Sequence, residues 1–289
     1  MQFIRPTDLE SALAAKAAHP DAVVIAGGTD VMVGLNFDRL RPETIIDLAG
    51  IAQLRQWSRD TGTIRLGSGV PYTRIIAELA DELPGLALAS RGVGSPQIRN
   101  RGTVGGNLAT ASPAGDSIPP LVASDAQVEL TSVRGSRLVA ADDFIVWPRQ
   151  SLLEGDELIT AIHIPIARGP QQFAKIGSRN AMVIAVASFA LSLDEQAHTV
   201  GTGIGSAGPI VIRARDAESR LLAALDGRWH TRDPLPLDLT TQFGEDIAAA
   251  AQPISDVRGT AEYRRHALSI IARRTLTWAW GQRTLAEAS

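Results

Sequence analysis

The apolar residues of this chain recur in short blocks whose period changes along its length, and those changes mark its parts. Thr7-Asp8-Leu9-Glu10 spells a capping box, Thr at the cap and Glu three residues on, and predicts an Ala-rich helix reaching His19-Pro20. Ala22-Val23-Val24-Ile25 is an apolar run of the kind a buried strand makes. Ala26-Gly27-Gly28-Thr29-Asp30 follows as a turn, apolar positions continue from Val31-Met32-Val33 to Leu35, and Thr44-Ile45-Ile46-Asp47-Leu48 predicts the next strand. Residues 1–55 therefore read as a small α/β unit.

From 56 to 176 the pattern is that of a larger α+β unit. Asp60-Thr61-Gly62, between Trp57 and Ile64-Arg65-Leu66, is a hairpin signal. Ile75, Ile76 and Leu79 give the stretch from Tyr72 to Leu79 a helical period. The stretch from Gly92 to Asn107, with Pro96, Asn100 and four further glycines, predicts a loop. Asp116 to Ala123 predicts a short helix with Pro119-Pro120 in its first turn. Gln127–Thr131, Ser136–Val139 and Glu157–Pro165 alternate as strands, and Phe173-Ala174-Lys175-Ile176 is expected to close their sheet. Beyond 177, Val183–Leu193, Val200–Ile204 and Ile210-Val211-Ile212 predict an antiparallel sheet. Helices are expected at Ala214–Leu225, Asp246–Ala251 and from Thr260 to Leu285. The expected fold class is α+β: a two-lobed N-terminal domain, 1–176, with subdomains 1–55 and 56–176, followed by a C-terminal domain, 177–289, of antiparallel sheet and helices.

Composition narrows the chemistry. A net charge of −3 gives no electrostatic reason to expect nucleic acid as a partner. The chain has no cysteine, which excludes disulfides and thiolate-bound zinc or iron–sulfur sites within it. His19, His163, His198, His230 and His266 are scattered, so no metal site is expected; His163, between Ile162 and Ile164 on a strand, faces away from them. The longest apolar tract, Ala181 to Leu193, is too short to span a bilayer, and the N-terminus lacks the layout of a signal peptide. The expectation is a cytoplasmic protein with no membrane span.

Two stretches stand out chemically. Ala26-Gly27-Gly28-Thr29-Asp30 and Thr103-Val104-Gly105-Gly106-Asn107 each join adjacent glycines to small hydrogen-bonding residues. Adjacent glycines permit a tight turn, a positive φ and close approach of backbone to a bulky anion. Successive N–H groups then make a donor array suited to a phosphate or pyrophosphate. Two such turns from separate lobes are placed to clamp one dinucleotide. A third glycine stretch, Gly203-Ile204-Gly205-Ser206-Ala207-Gly208, spells G-x-G-x-x-G, but Pro209 and the β-branched run Ile210-Val211-Ile212 follow it. A dinucleotide fingerprint must open a helix, so this one reads as a turn between strands.

Taken with their surroundings, the first two turns resemble a known family. Ala26–Asp30 after a strand, then Ile98-Arg99-Asn100-Arg101-Gly102-Thr103-Val104-Gly105-Gly106-Asn107, then Ala111-Ser112-Pro113-Ala114-Gly115-Asp116, are similar to the medium, FAD-binding subunit of molybdenum hydroxylases, the carbon monoxide dehydrogenase and xanthine dehydrogenase family. The likeness extends to Glu157-Leu158-Ile159, Ile164-Pro165, Phe173–Ile176 and Ser255-Asp256-Val257-Arg258-Gly259-Thr260-Ala261-Glu262-Tyr263-Arg264, and so covers nearly the whole chain in order. The resemblance implies an oxidoreductase subunit whose N-terminal lobes hold FAD between them. It implies partners: a large chain with the molybdopterin cofactor and a small chain with two [2Fe-2S] clusters, assembled as a dimer of heterotrimers. Such a subunit takes electrons from the clusters and passes them to an acceptor. A self-sufficient FAD oxidoreductase with its own substrate pocket is the alternative, and a phosphate-binding module without redox chemistry is a third.

The resemblance also implies site residues. Gly27, Gly28, Gly105 and Gly106 would bring N–H groups to the FAD pyrophosphate, with Val24, Ala26 and Val31 flanking the first turn. Thr29, Thr103 and Asn107 would add side-chain donors, or only shape turns and caps. Asp30 either caps the helix opening at Val31 or touches ligand. Asp116 resembles the acid that accepts from ribose hydroxyls, or caps the following helix. Val93, Gly94, Thr110, Gly115 and Ile159 would lie beside the cofactor. Lys175 would place a cation near the flavin's pyrimidine edge, or face solvent from its strand. Arg264, Arg265, Arg273 and Arg274 read as a solvated or subunit-contacting helix face, and Tyr263, Ala267, Ile270 and Ile271 as core.

Overall fold

In the computed structural model, which describes residues 1–231 and 233–286, the first unit is a parallel sheet of β1 (Gln2–Ile4), β2 (Val23–Ile25) and β3 (Thr44–Asp47), with β3 central. Asp8, not Thr7, opens helix α1 (Leu9–Ala18): its carboxylate accepts the Ser11 N–H at 2.8 Å. The capping box is therefore displaced by one residue, because an ionised carboxylate meets the positive end of a helix better than a hydroxyl does. The stretch after the first glycine turn is helix α2 (Val31–Asn36). Ile46, Ala12, Leu48, Ile51 and Leu54 make this unit's core, joined by Leu158 from the next.

The second unit is an antiparallel sheet in the order β4 (Trp57–Asp60), β5 (Thr63–Gly67), β10 (Leu158–Pro165), β6 (Gln127–Ser132), β7 (Gly135–Ala140). Between β5 and β6 run α3 (Tyr72–Glu78), α4 (Pro84–Gly92), α5 (Pro96–Arg101), α6 (Val104–Thr110) and α7 (Ile118–Ala123). After β7 come α8 (Ala141–Phe144) and a hairpin of β8 (Ile145–Trp147) and β9 (Gln150–Ser151). The stretch expected as loop, Gly92 to Asn107, thus holds α5 and most of α6. Each has a side-chain cap, Ser95 accepting from Ile98 N–H at 3.4 Å and Thr103 from Gly106 N–H at 3.0 Å. Pro96 sits in the first turn, where its missing N–H costs nothing.

One ionic group on this sheet contributes to its stability in a pH-dependent way. Burial alone would raise the Glu129 carboxyl, but donors from Arg65 (2.6 Å), His163 (2.7 Å) and Thr160 (2.7 Å) outweigh it and hold the pKa at about 2, against an ordinary 4.5. A depressed carboxylate contributes stability above its unfolded pKa, and the contribution is lost as pH falls through the folded one. Thermal melts at stepped pH should show Glu129→Gln less stable than the parent near neutrality, the gap closing between pH 4.5 and about 2. A gap of constant size would contradict the linkage.

In the third unit β11 (Gln171–Ile176), β12 (Ala187–Asp194) and β13 (Thr199–Gly205) form an antiparallel sheet in that order. Phe173–Ile176 therefore opens the C-terminal sheet and does not close the second one: all six residues of β11 pair with β12, while Ala174 and Ile176 pack on the third core. Ile210–Ile212 forms no strand; a single bridge joins Ile212 to Ile204. Helices α9 (Arg215–Leu225), α10 (Leu237–Ala250) and α11 (Ala261–Ala286) cover the sheet, α10 beginning well before the expected Asp246. On α11 the burial of two neighbours is the reverse of the sequence reading: Tyr263 is half exposed and Arg264 is buried, although Ala267 and Ile271 are core. The last expected positions of this domain, 287–289, lie outside the described residues. Among the described residues no helix is long and apolar enough to cross a membrane.

The glycines of β13, including the first of the G-x-G-x-x-G spelling, have a packing cause. A Cβ at Gly201 would stand 2.0 Å from the Ala123 carbonyl oxygen and one at Gly203 2.2 Å from that of Pro119, so β13 lies directly on the backbone of α7. Those glycines join the second unit to the third.

Candidate functional site

The two glycine turns meet. Gly27 packs against the end of α5 so closely that a Cβ would lie 1.9 Å from the Arg101 carbonyl oxygen, and Arg101 Nε donates to Gly27 O at 3.4 Å. Thr110 Oγ1 lies 3.0 Å from Gly106 O and 3.4 Å from Asp30 Oδ2, linking α6 to the first turn. Asp30 occupies the cap position of α2 but bonds no helix N–H, so it is a tie between lobes and not the expected cap.

The four glycines lack side chains for three different reasons. Only Gly28 has a left-handed backbone, φ +78°, where a Cβ is strained. Gly27 and Gly105 are pressed against protein: a Cβ on Gly105 would stand 2.5 Å from Ser68 Cβ and 2.7 Å from Ser68 O. At Gly106 a Cβ would press on Thr103 Oγ1 at 3.2 Å and meet no other atom, so protein packing constrains that position far less than Gly27 or Gly105. The expected need for positive φ thus holds at Gly28 and not in the second turn, which is the first turn of α6.

Both turns line one cavity of about 820 Å³ between the three units. This is within the size range of cofactor sites. Of the eighteen residues singled out in the sequence, fifteen are on its wall: Val24, Ala26, Gly27, Gly28, Thr29, Asp30, Val31, Val93, Thr103, Gly105, Gly106, Asn107, Thr110, Gly115 and Ile159. Among the described residues the N–H groups of Gly27, Gly28 and Thr29 have no protein acceptor. In the second turn, against expectation, neither glycine N–H is free: Thr103 Oγ1 accepts that of Gly106 at 3.0 Å and Ser68 O that of Gly105 at 3.3 Å, because the turn is the capped start of α6 packed on Ser68. Asn107 Oδ1 accepts from the buried Ser117 hydroxyl at 2.6 Å. Gly115 fits closely against Asn107, where a Cβ would stand 2.7 Å from Oδ1.

The other three lie off that wall. Gly94, φ +43°, packs on Ile98, which is itself on the wall. Asp116 and Lys175 form a largely buried ion pair at 2.6 Å, their side chains 10% and 14% exposed, so Asp116 is no helix cap and Lys175 does not face solvent. Burial pushes the Asp116 carboxyl up, opposed by the Lys175 charge beside it. Lys175 Nζ also donates to Gly92 O at 2.8 Å and Val183 O at 3.2 Å, which uses all three of its N–H groups. Asp116 Oδ1 is buried without a partner among the described residues.

The wall also holds residues that the sequence reading assigned elsewhere or passed over. Lys16 from α1 lines it with its ammonium bonded to Pro20 O and Ala22 O at 2.6 and 3.1 Å, and burial lowers its pKa. Arg149 reaches it from the β8–β9 turn, while Ile184, Ser206, Ile254, Asp256, Arg258 and Arg264 come from the third unit. Arg264, expected on an outer face, is buried and donates to Val186 O, Ser206 O and Asp256 Oδ1 at 3.0, 2.6 and 2.6 Å. Two signals were present in the sequence: the Ser255–Arg264 block was part of the resemblance, and Ser206 lies inside the decoy glycine run.

A fold of three units around one large cavity, with two glycine turns on its wall, defines a class of cofactor-binding protein, and comparison with known proteins specifies it. A family model described as the FAD binding domain in molybdopterin dehydrogenase matches residues 1–167, and one described as the CO dehydrogenase flavoprotein C-terminal domain matches residues 172–279. The xanthine dehydrogenase FAD-binding subunit of Escherichia coli O157:H7 is 31% identical over 96% of this chain and 95% of its own. The nicotine 6-hydroxylase medium subunit of Paenarthrobacter nicotinovorans is 32% identical over 98% of both. Among solved structures, carbon monoxide dehydrogenase from Hydrogenophaga pseudoflava superposes with a TM-score of 0.88 at 26% identity, covering 97% of each chain. The chain belongs to the FAD-binding subunits of the molybdenum hydroxylase family, an oxidoreductase family.

Proposed function

We propose that this chain is the electron-transfer subunit of a molybdopterin-dependent hydroxylase or dehydrogenase, holding FAD in the cavity between its three units. It would take electrons from two [2Fe-2S] clusters of a small partner chain and deliver them to an external acceptor. Oxidation of substrate belongs to a large chain with the molybdenum cofactor, in a dimer of heterotrimers.

The residues present fit the cofactor. The observation that carries the reading is the first turn's three N–H groups without protein acceptors, set on the same wall as a glycine, Gly106, that protein packing constrains far less than Gly27 or Gly105. Backbone donors suit a diphosphate, and a position kept clear of a side chain suits close approach by a bulky anion. Gly27, Gly28 and Thr29 would hold the diphosphate by their N–H groups and Thr103 by its hydroxyl proton, while Gly105 and Gly106, whose N–H groups go to Ser68 O and Thr103 Oγ1, would contribute only the absence of a side chain. Val24, Leu48 and Leu158 offer apolar wall to a ring system. When bound, FAD supplies a redox centre that exchanges electrons singly or in pairs. Lys175, tied to Asp116 behind the wall, would set the local charge beside it.

Substrate names differ among relatives of similar identity: xanthine, nicotine and carbon monoxide. That diversity supports a subunit which does not read the substrate. Titration of the purified chain with FAD should give one bound flavin per chain with a flavin visible spectrum. A pull-down from the native host should bring molybdenum and iron with it. Failure of the chain to bind FAD under any reconstitution would sink the cofactor reading; capture with FAD but without molybdenum or iron would sink the relay.

A further inference from the structure

The chain has no cysteine and three methionines, so thioethers are its only sulfur. One is the N-terminal residue. The other two, Met32 and Met182, are 45% and 56% exposed, although methionine is among the residues most often buried. Each stands within two residues of the cavity wall, Met32 after Val31 in the first unit and Met182 before Ile184 in the third.

Met32 is tied to the first glycine turn. Its N–H donates to Gly28 O at 3.1 Å, and a helical side chain leans back over the turn that precedes it. A Cβ built on Gly28 would touch Met32 Cγ at 3.4 Å and Ile25 Cδ1 at 3.5 Å, so these two side chains pack against Gly28, whose backbone is left-handed at φ +78°. Gly28 lines the cavity and Met32 does not. The thioether therefore covers, from the solvent side, the turn whose N–H groups have no protein acceptor.

We infer that Met32 is a reversible oxidation site through which hydrogen peroxide lowers the affinity of the first turn for its ligand. The inference rests on the FAD reading and adds a modification that acts on it from outside the cavity. The sulfur attacks one oxygen of the peroxide: an S–O bond forms and the O–O bond breaks. The thioether is oxidised to the sulfoxide and the peroxide is reduced to water, which carries away both of its hydrogens. The sulfoxide is polar where the thioether was apolar, so it draws the side chain toward water and off Gly28 and Ile25. The turn then loses its outer packing. Met182 is as open to peroxide, but its loop is bonded to Arg179 and, through Val183 O, to Lys175, and it serves as the control.

The test compares the full chain with Met32→Leu and Met182→Leu, volume-conserving changes that keep an apolar side chain in each place. Each is treated with hydrogen peroxide, the added oxygen is located by peptide mass spectrometry, and FAD affinity is measured by fluorescence titration. Sulfoxide at Met32 should lower the affinity of the parent and of Met182→Leu by roughly three- to tenfold. Methionine sulfoxide reductases for both epimers should restore it. Met32→Leu should keep parent affinity through the same treatment. Unchanged affinity in a parent fully oxidised at Met32 would overturn the inference while leaving the FAD reading intact. An equal loss in Met32→Leu would also overturn it, by placing the damage elsewhere, as would a Met32 that stays unoxidised while Met182 is converted. A parent that binds no FAD before treatment would sink both readings.

Discussion

Gly106→Val is expected to lower FAD affinity by roughly 100-fold while the chain without cofactor melts within a few degrees of the parent. The reasoning starts from free space. A Cβ at Gly106 meets only Thr103 Oγ1, at 3.2 Å, and the backbone there belongs to the start of α6, which any L-residue can adopt. Valine therefore costs the protein its modest helix propensity penalty and a shift of a few tenths of an ångström between its Cβ and the Thr103 hydroxyl. Gly106 lines the same cavity as the first turn's free N–H groups, so the two methyl groups take space there that the cofactor would otherwise fill. Two overpacked contacts at about 1.5 kcal/mol each give the stated factor. Flavin fluorescence titration and calorimetry on the same samples separate the two effects. Parent-like affinity would show that the cofactor does not pass Gly106.

Gly27→Ala should behave in the opposite manner, destabilising the chain even in the absence of ligand. The added Cβ would stand 1.9 Å from the Arg101 carbonyl oxygen and 3.1 Å from Gly102 Cα, both backbone atoms that cannot rotate aside. The first unit and α5 must separate, at a cost of about 2–3 kcal/mol, which for a chain of this size lowers the melting temperature by roughly 5–10 °C. FAD binding is lost as a consequence, because the two turns no longer share a wall. Scanning calorimetry of the cofactor-free variant is the deciding measurement. A parent-like melt would mean that the two lobes are not in contact at Gly27. The pair of variants thus divides one motif into a position that faces ligand and a position that faces protein.

Most of the site was legible because its residues are local in sequence. Ala26–Asp30 and Thr103–Asn107 each announce a turn with small donors, and fifteen singled-out residues come to one wall. The elements themselves were readable where their period was clean, as in β5, β10 and α9. Misreadings came where a local signal had two outcomes. Pro96 and the glycines from Gly94 to Gly106 looked like loop, yet a proline in a first turn and a glycine against Ser68 are both compatible with helix. Phe173–Ile176 alternates like any strand, and nothing in an alternation says which sheet it joins.

What the amino-acid order determined alone was the set of short-range features: the glycine turns, the absence of thiols and the periodic elements, each fixed by residues a few positions apart. Tertiary structure decided which glycine faces ligand and which faces protein, that Lys175 pairs with Asp116, and that Arg264 is buried beside Ser206. Those outcomes depend on contacts between residues separated by 37 to 83 positions, from Gly105 to Ser68 up to Lys175 to Gly92. A local pattern encodes the conformation of its own segment; the neighbour that fills the space beside it, and so the free energy of burying a charge or omitting a side chain there, is set only when distant segments pack.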